Sequence, residues 1–598
     1  MTNPFSSIAL IACWFFIVSI AFFYYPKWKQ RGNEATIGYD VAGYYQYLPA
    51  VFIYHDLRNL EFQQQIFEKY HLGTGYPNYT AETGYQVIKY SLGAALFYTP
   101  FFLTGHLVAL YGTHPADGYS RPYQAALSFG CLIYALIGLV FARKILLLYF
   151  DDTVTAITLW LLVFGTNYLN YTAVDHAMTH NLLFTLFTCI IYLTIQFYKQ
   201  PGFAIACIIG LLCGLAIITR PSEIVIASLP ILWGINGYTA IKQRMQFIAM
   251  HWGKIIVSAA GGLAVICLQL FYWKYTSGNF IEYSYGDQGF QFFNAFFYQV
   301  LFSFRKGWFV YTPLMLLIVP GFIFLFIYRR SLFMACLVFF LLTFWIVASW
   351  EIWWYGGSLG QRALVQSYAI LIFPLAAFVQ FILQAPNSVK IPAGIFIAFC
   401  IVFNIFLTWQ AHAPGGIFEA ENMNRTYFWK IFFKAEIPPS EKRFLDKADL
   451  YRGKMESIVP VEKINFESDT IGITHDIVFE GNNARIIHAE HPYYSYSIPK
   501  EKIGTHKWIR ISAMCYTPDK EWNIWQAEQL VVWFKKGDEQ LKTNFIRIQR
   551  LIDSGIWTEV WFEAKVPDAE FDTVEVAVLH LGSSKTLMID NISVFAFN

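Results

Sequence analysis

Long apolar runs, each closed by a short polar or basic connector, dominate the first two thirds of the chain. A bilayer-crossing helix needs about 20 mostly apolar residues, and the pattern predicts about eleven such segments. They lie near 7–25, 122–142, 153–172, 180–198, 202–219, 222–237, 254–273, 308–328, 331–350, 367–385 and 390–410. The first has no basic region ahead of it and no small-residue cleavage site behind it, so it reads as a retained anchor. The stretch 91–111 is also long enough to cross, but it contains Pro100 and His106. As a span it would carry Arg143 and Lys144 to the outer side. As a juxtamembrane helix it leaves Arg143-Lys144, Lys199, Lys242/Arg244/Lys254, Arg329-Arg330 and Lys390 on one side, and the positive-inside rule selects that reading. Lys27, Lys29 and Arg31 run against an outer first loop. The outer segments are then 26–121, 173–179, 274–307, 351–366 and 411–598, with the tight turn Arg220-Pro221-Ser222-Glu223.

After about residue 411 the pattern changes. Residues 411–459 read as a polar linker, and from about 460 the period becomes two. Trp508-Ile509-Arg510-Ile511-Ser512-Ala513, Leu530-Val531-Val532-Trp533-Phe534 and Thr573-Val574-Glu575-Val576-Ala577-Val578 alternate between polar turns. Short strands in this spacing predict an all-β sandwich. The expected architecture is a multi-spanning α-helical membrane domain (1–410), a linker (411–459) and an outer β-sandwich (460–598). The opening Asn465-Phe466-Glu467-Ser468 and the closing Leu587-Met588-Ile589-Asp590-Asn591-Ile592-Ser593-Val594 resemble the jelly rolls of carbohydrate-binding modules. Tyr493, Tyr494, Tyr496, Trp522 and Trp525 would supply a sugar-stacking platform there, with core packing as the competing role.

Composition agrees with this division. Of 598 residues, 56% are hydrophobic and 14% charged, too apolar for a soluble enzyme of this length. A net charge of +2 points to no nucleic-acid partner. The nine cysteines show neither metal spacing nor a disulfide framework.

The polar and ionisable residues of interest concentrate in the outer segments. An ionisable residue at a bilayer boundary is costly to keep, which draws attention to Asp40 in Gly38-Tyr39-Asp40-Val41-Ala42-Gly43-Tyr44-Tyr45. Asp175, His176 and His180 form a second cluster. Two histidines four residues apart share a helical face if the helix starts early enough, and with a carboxylate they are a usable metal set. Substrate contacts or interhelical hydrogen bonds are the favoured role, so no metal or other cofactor is assigned. Glu351, Trp353 and Trp354 open a further outer loop, where the tryptophans suit an interfacial belt or a stacking surface. Glu223 is placed to pair with Arg220.

The layout of residues 1–410 resembles the GT-C superfamily of polytopic glycosyltransferases, which includes protein O-mannosyltransferases and the aminoarabinose transferase of lipid A. The resemblance rests on Tyr39-Asp40 with Tyr44-Tyr45-Gln46-Tyr47-Leu48-Pro49, on Ala142-Arg143-Lys144, and on Val174-Asp175-His176-Ala177-Met178-Thr179-His180-Asn181. It also rests on the Gly-rich run from Gly210 to Arg220-Pro221. Arg305-Lys306-Gly307-Trp308-Phe309-Val310-Tyr311-Thr312-Pro313 and Trp353-Trp354-Tyr355-Gly356-Gly357-Ser358-Leu359-Gly360-Gln361-Arg362 look like an uncharacterised bacterial branch of it. The chain departs from the mannosyltransferase pattern in that Asp40 is followed by Val41 rather than a second acid.

The resemblance implies transfer of a sugar from a polyprenyl-phosphate carrier to a glycan, lipid or protein acceptor outside the cytoplasm. Asp40 would take the acceptor proton. Arg220, Arg362, Arg305 and Lys306, with Lys89 behind them, would stabilise the leaving phosphate. Tyr44, Tyr45, Asp175, His176, His180, Glu351, Trp353 and Trp354 would contact substrate. Direct displacement would invert the anomeric centre. The bacterial character implies an inner-membrane protein, N-terminus cytoplasmic and β-domain periplasmic. The rival readings are a lipid-linked-sugar flippase or transporter, which predicts midplane charges and inverted repeats, and a polymerase or ligase of lipid-linked glycans.

Overall fold

The structure, a computed structural model, describes residues 3–72, 78–286, 288–413, 416–520 and 522–598. The chain divides into two units, Met1–His412 and Ala413–Asn598.

The first unit is a polytopic helical membrane domain. Eight of its helices are long and apolar enough to cross a bilayer, and four shorter apolar helices accompany them. Each of the eleven expected spans falls on one of these. Two of the eleven are interrupted, and a third break separates two of them. Asp152–Phe164 stops at Gly165 and the chain resumes helically at Tyr168–Ala173. Pro313 lacks an N–H and pushes the residue before it out of the helical region. Thr312 is accordingly at φ −137°, so Trp308–Tyr311 ends there and Ile318–Tyr328 follows a 3₁₀ turn. Pro221 does the same to Arg220, which leaves the helix Phe203–Thr219 in an extended conformation.

Gly93–Tyr111 forms one helix and is among the eight by length and composition. Both its flanks are tied to one short segment. Tyr47 donates to the Tyr90 carbonyl before the helix, and Tyr45 donates to the Gly118 carbonyl after it. A helix of this length would carry its ends about 28 Å apart if it crossed upright. Tyr90 and Gly118 lie three and seven residues outside the helix, so these bonds tie its flanking loops, and not its ends, to that segment.

Burial ranks the helices. In the stretch Arg362–Gln384, 83% of the apolar window is buried, and in Thr179–Lys199 72%, against 17% for Trp252–Ser277. The central helices are therefore the two whose N-terminal ends carry His180 and Arg362. A short antiparallel hairpin, β1 (Asn78–Thr80) and β2 (Gln86–Ile88), delivers Lys89 and Tyr90 to the same end of the bundle.

The second unit is an all-β sandwich of two antiparallel sheets. One has β10 (Thr558–Lys565), β7 (Trp508–Tyr516), β12 (Leu587–Phe597), β5 (Ala484–Ile487) and β4 (Ile473–Thr474) in that order, with β3 (Val459–Ile464) also on β12. The other has β6 (Tyr493–Pro499), β11 (Thr573–Leu579), β8 (Gln529–Lys536) and β9 (Glu539–Arg547). The period-two pattern buries Val574, Val576 and Val578 with Leu530, Val532 and Phe534 on one inner face, and Ile509, Ile511, Ile589 and Val594 on the other.

The expected linker 411–459 is corrected by this unit. Of its described residues, 411 and 412 belong to the first unit, and 413 and 416–459 belong to the second. The Lys447 N–H donates to Phe545 O on β9, and the Asp449 N–H donates to Glu563 O on β10, each at 3.0 Å. These strands are the open edges of their sheets. An unpaired edge exposes a row of hydrogen-bonding groups, and the segment 447–449 covers both. Fully buried Asp446 binds Arg547 at 2.5 Å and lies 3.6 Å from Arg550. Polar composition masked this role because the contacts are charged and main-chain rather than apolar. Asp446→Ala strands the largely buried Arg547 guanidinium, while Arg550 keeps Glu419 at 3.0 Å, a loss of about 3–5 kcal/mol for a broken buried pair. The expected result is a lower melting transition and new proteolytic cuts between residues 436 and 458. An unchanged cleavage pattern would restore the linker reading.

Candidate active site

Asp40 lies in the first turn of the short helix Tyr39–Tyr45. Two backbone features aim it. Gly38 approaches the Asn33 carbonyl so closely that a Cβ would lie 2.4 Å from that oxygen. Tyr39 then takes φ +45°, a strained value for a bulky residue, and its N–H donates to Leu72 O at 3.0 Å. Such strain persists where the surroundings over-determine it, and functional sites are a common place for it. Tyr355, on the loop facing the same site, repeats the feature at φ +53°.

The half-buried Asp40 carboxylate has two partners. Tyr90 donates its O–H to Oδ1 at 2.6 Å, and Arg362 meets Oδ2 at 2.9 Å. Burial by itself would raise this carboxyl, but the Arg362 charge, the Tyr90 hydrogen bond and the field of Arg220 outweigh it and hold Asp40 below its ordinary range. Asp40 is thus an ionised acceptor at neutral pH.

Arg362 is positioned by the loop before it. Gly360 has φ +62°, and a Cβ there would lie 2.9 Å from Tyr311 Cβ, so only glycine fits the turn. Lys306 donates to Ser358 O, and Asn167 and Tyr171 donate to Leu359 O at 3.2 and 3.3 Å. Removing the cation has a readable consequence. In Arg362→Met, burial acts on Asp40 without its chief counter-charge, so the carboxyl pKa rises. The acid limb of a reaction that needs the carboxylate moves toward neutral pH, and a pH profile of kcat/KM reads it.

Arg220 makes no ion pair among the described residues. Its Nη1 lies 3.4 Å from His180 Nδ1, and its guanidinium sits 5.7 Å from the Tyr355 ring centroid. His180 Nδ1 lies 3.0 Å from Gln366 Oε1, and Gln366 Nε2 donates to Glu223 Oε1 at 2.9 Å. Lys89 lies over the Tyr285 ring at 4.8 Å, and Tyr44 packs on Tyr90 with centroids 4.4 Å apart. Asp40, Arg362, Arg220, Lys89, Tyr44, Tyr90, Tyr285 and Tyr355 therefore form one cluster. Its members come from the segments that charge patterning assigned to a single side of the membrane.

Other expected site residues lie elsewhere. Tyr45 is fully buried among Tyr98, Phe102 and Tyr119, a core residue one helical step away from Tyr44. Lys306 is fully buried and holds the Ser358 carbonyl, which makes it a support for the Arg362 loop. Arg305 stacks on Trp354 at 3.8 Å, and Trp354 meets Trp353 edge-on. Exposed Glu351 pairs through its main chain and carboxylate with Gly289. Glu223 is taken by Gln366 and Ser222 rather than by a salt bridge to Arg220.

His176 and His180 do not share a face, because the helix begins only at Thr179. His176 Nε2 bonds Ser128 Oγ at 2.9 Å, while His180 turns to Gln366. Burial and the nearby Lys27 charge push the His176 imidazole down to about 4. Asp175 joins Lys27 at 2.6 Å and accepts from Asn170 at 2.9 Å. Burial opposes its ionisation, yet Lys27 holds it well below the usual carboxylate range. This pair also accounts for the basic flank at Lys27, whose charge is spent on Asp175. Among the described residues no group of three His, Cys, Asp or Glu is arranged to hold a metal ion. In the sandwich, Tyr494 turns inward onto Phe466, so the five aromatics do not make one platform.

Tyr90, Gln366, Tyr285 and Tyr355 were not singled out from sequence. The one available signal was Gln366, a polar side chain at the mouth of a long apolar run.

No family model matches the chain, and no curated protein matches it. Among solved structures it is similar to the Archaeoglobus fulgidus oligosaccharyltransferase in the apo form, at 11% identity over 75% of this chain and 60% of that one, TM-score 0.41. It is similar to the arabinosyltransferase EmbB of Mycobacterium smegmatis at 10% identity over 85% and 64%, TM-score 0.28. The CBM22-1 xylan-binding domain of Paenibacillus barcinonensis Xyn10C matches 24% of this chain and 96% of its own, at 9% identity and TM-score 0.17. The chain covers less than two thirds of the length of both transferases.

Proposed function

We propose that the protein is an inverting, GT-C-type membrane glycosyltransferase that moves a sugar from a polyprenyl-phosphate donor to an extracytoplasmic glycan, lipid or protein acceptor. The observation that carries this reading is the pairing of an ionised Asp40, held by Arg362 and Tyr90, with an Arg220 that has no ion-pair partner among the described residues. The two arginines then have different work. Arg362 neutralises and orients Asp40, and Arg220 is the cation left for a substrate anion.

The acceptor oxygen attacks the anomeric carbon from the face opposite the phosphate. The new C–O bond forms as the bond to the phosphate oxygen breaks, and that oxygen leaves with the electron pair. The acceptor proton passes to Asp40. A carboxylate of low pKa is a weak base, so this transfer comes late, once the acceptor oxygen is bonding to the anomeric carbon and carries oxonium-like positive charge. Negative charge on the leaving phosphate is met by Arg220, with Lys89 beside it, in a site lined by tyrosine rings. The bacterial inner membrane, with the β-domain in the periplasm, is the proposed setting, and the β-domain is proposed to engage the acceptor.

The test supplies purified protein in lipid with radiolabelled polyprenyl-phosphate sugars and a cell-envelope extract. Label passing from a polyprenyl-phosphate donor to an acceptor is expected. Transfer from nucleotide sugars alone, or movement of the carrier across the bilayer without transfer, overturns the reading.

A further inference from the structure

His180, Gln366 and Glu223 form a buried chain beside Arg220, with exposures of 1%, 1% and 4%. Buried polar groups in such a chain must match donor to acceptor, which fixes their hydrogens. In its ionised form, which the neighbouring Arg220 charge favours, the Glu223 carboxylate only accepts. It takes Gln366 Nε2–H at 2.9 Å and the Ser222 hydroxyl at 3.2 Å on the same oxygen. Gln366 is thereby oriented with its carbonyl Oε1 toward His180 Nδ1, 3.0 Å away. A carbonyl also only accepts, so Nδ1 carries the hydrogen. A neutral imidazole protonated at Nδ1 has its lone pair on Nε2, and Nε2 bonds to no described residue. Arg220 Nη1 also approaches Nδ1, at 3.4 Å, but the Gln366 carbonyl is nearer and sets the hydrogen on Nδ1, while the other N–H groups of Arg220 bond to no described residue. The Tyr171 ring, edge-on at 5.3 Å, fixes the imidazole plane.

We propose that His180 is a specificity-determining residue whose Nε2 accepts a hydrogen bond from a hydroxyl of the transferred sugar, and that Gln366 and Glu223 are positioning residues that set its tautomer. The proposal rests on the glycosyltransferase reading and narrows its substrate. The sugar carries a hydroxyl at the position facing His180, and an analogue lacking it leaves the Nε2 lone pair without that partner. Sites built around a substrate hydroxyl discriminate strongly against its absence, here by on the order of 10²-fold or more in kcat/KM.

Two measurements test it on the full chain in lipid. The first is nitrogen-15 NMR of histidine-labelled protein, with His180 assigned from its loss in His180→Gln. An Nδ1–H tautomer is expected, becoming mixed in Gln366→Leu. An Nε2–H tautomer or a doubly protonated ring at neutral pH overturns the proposal. The second compares a hydroxylated donor with its monodeoxy series. Wild type should reject one deoxy sugar, His180→Leu should transfer both alike at a reduced rate, and His180→Gln, which retains an acceptor, should recover part of the preference. Preference unchanged in His180→Leu overturns the proposal. If wild type transfers no sugar, the glycosyltransferase reading falls and the sugar role of His180 with it, while the NMR result still decides the tautomer.

Discussion

Asp40→Asn abolishes most transfer while the protein remains folded. Asparagine keeps the size of the side chain and can still accept from Tyr90, so the loss reports the charge and basicity of the carboxylate. Removing a general base lowers a rate by about 10²–10⁴-fold. The reduction should appear in kcat, with donor KM little changed, because the donor phosphate is assigned to Arg220. Asp40→Glu, which restores a carboxylate on a longer stem, should recover part of the rate. In wild type the group is already ionised at neutral pH, so kcat/KM stays level as pH falls through neutrality and declines only below the ordinary carboxylate range. The same displaced pKa makes a stability contribution with a definite sign. Because Asp40 is lower in the folded than in the unfolded chain, its contribution is present above the unfolded value and lost as pH falls through the folded one. Asp40→Asn that transfers sugar at the wild-type rate would leave the cluster as a structural ion pair.

Much of this site was accessible from pattern, for reasons specific to each residue. The segments bearing Asp40, Lys89, Arg220, Tyr285, Tyr355 and Arg362 could be grouped because basic connectors mark the opposite end of the bundle, where Arg143 meets Ser6 and Arg329 meets the Tyr149 carbonyl. Arg220 was legible because Pro221 forces it off its helix. What was hidden depends on angles that composition does not carry. Tyr44 and Tyr45 differ by about 100° around a short helix, which places one ring beside Tyr90 and the other in the core. A helix starting at Thr179 rather than three residues earlier separates His176 from His180. Lys306 reads as a site cation, yet the Ser358 carbonyl claims it, a contact between segments some 50 residues apart. Residues 416–459 look like part of a linker because their contacts are ion pairs and bonds to two sheet edges that exist only once the sandwich has formed.

The division of labour between the two arginines makes Arg220→Gln the second large effect. Arg220 makes no ion pair among the described residues, so glutamine removes a positive charge from the place where the leaving phosphate gains negative charge. Groups aimed at developing charge in a water-poor site are worth about 10²–10³-fold each. The expected result is a fall of that size in kcat, since the interaction strengthens as the phosphate departs. Arg220→Lys keeps the charge but loses the planar fork that can hold two phosphate oxygens, and should lie between the two. Arg362→Met should behave differently, shifting the pH profile through Asp40. Comparing the variants therefore separates a cation that meets substrate from one that serves the carboxylate. If Arg220→Gln moved only the pH profile and Arg362→Met only kcat, the roles would have to be exchanged. If both produced the same profile shift, both arginines would act through Asp40, and the phosphate would need another cation, for which Lys89 over Tyr285 is the placed candidate.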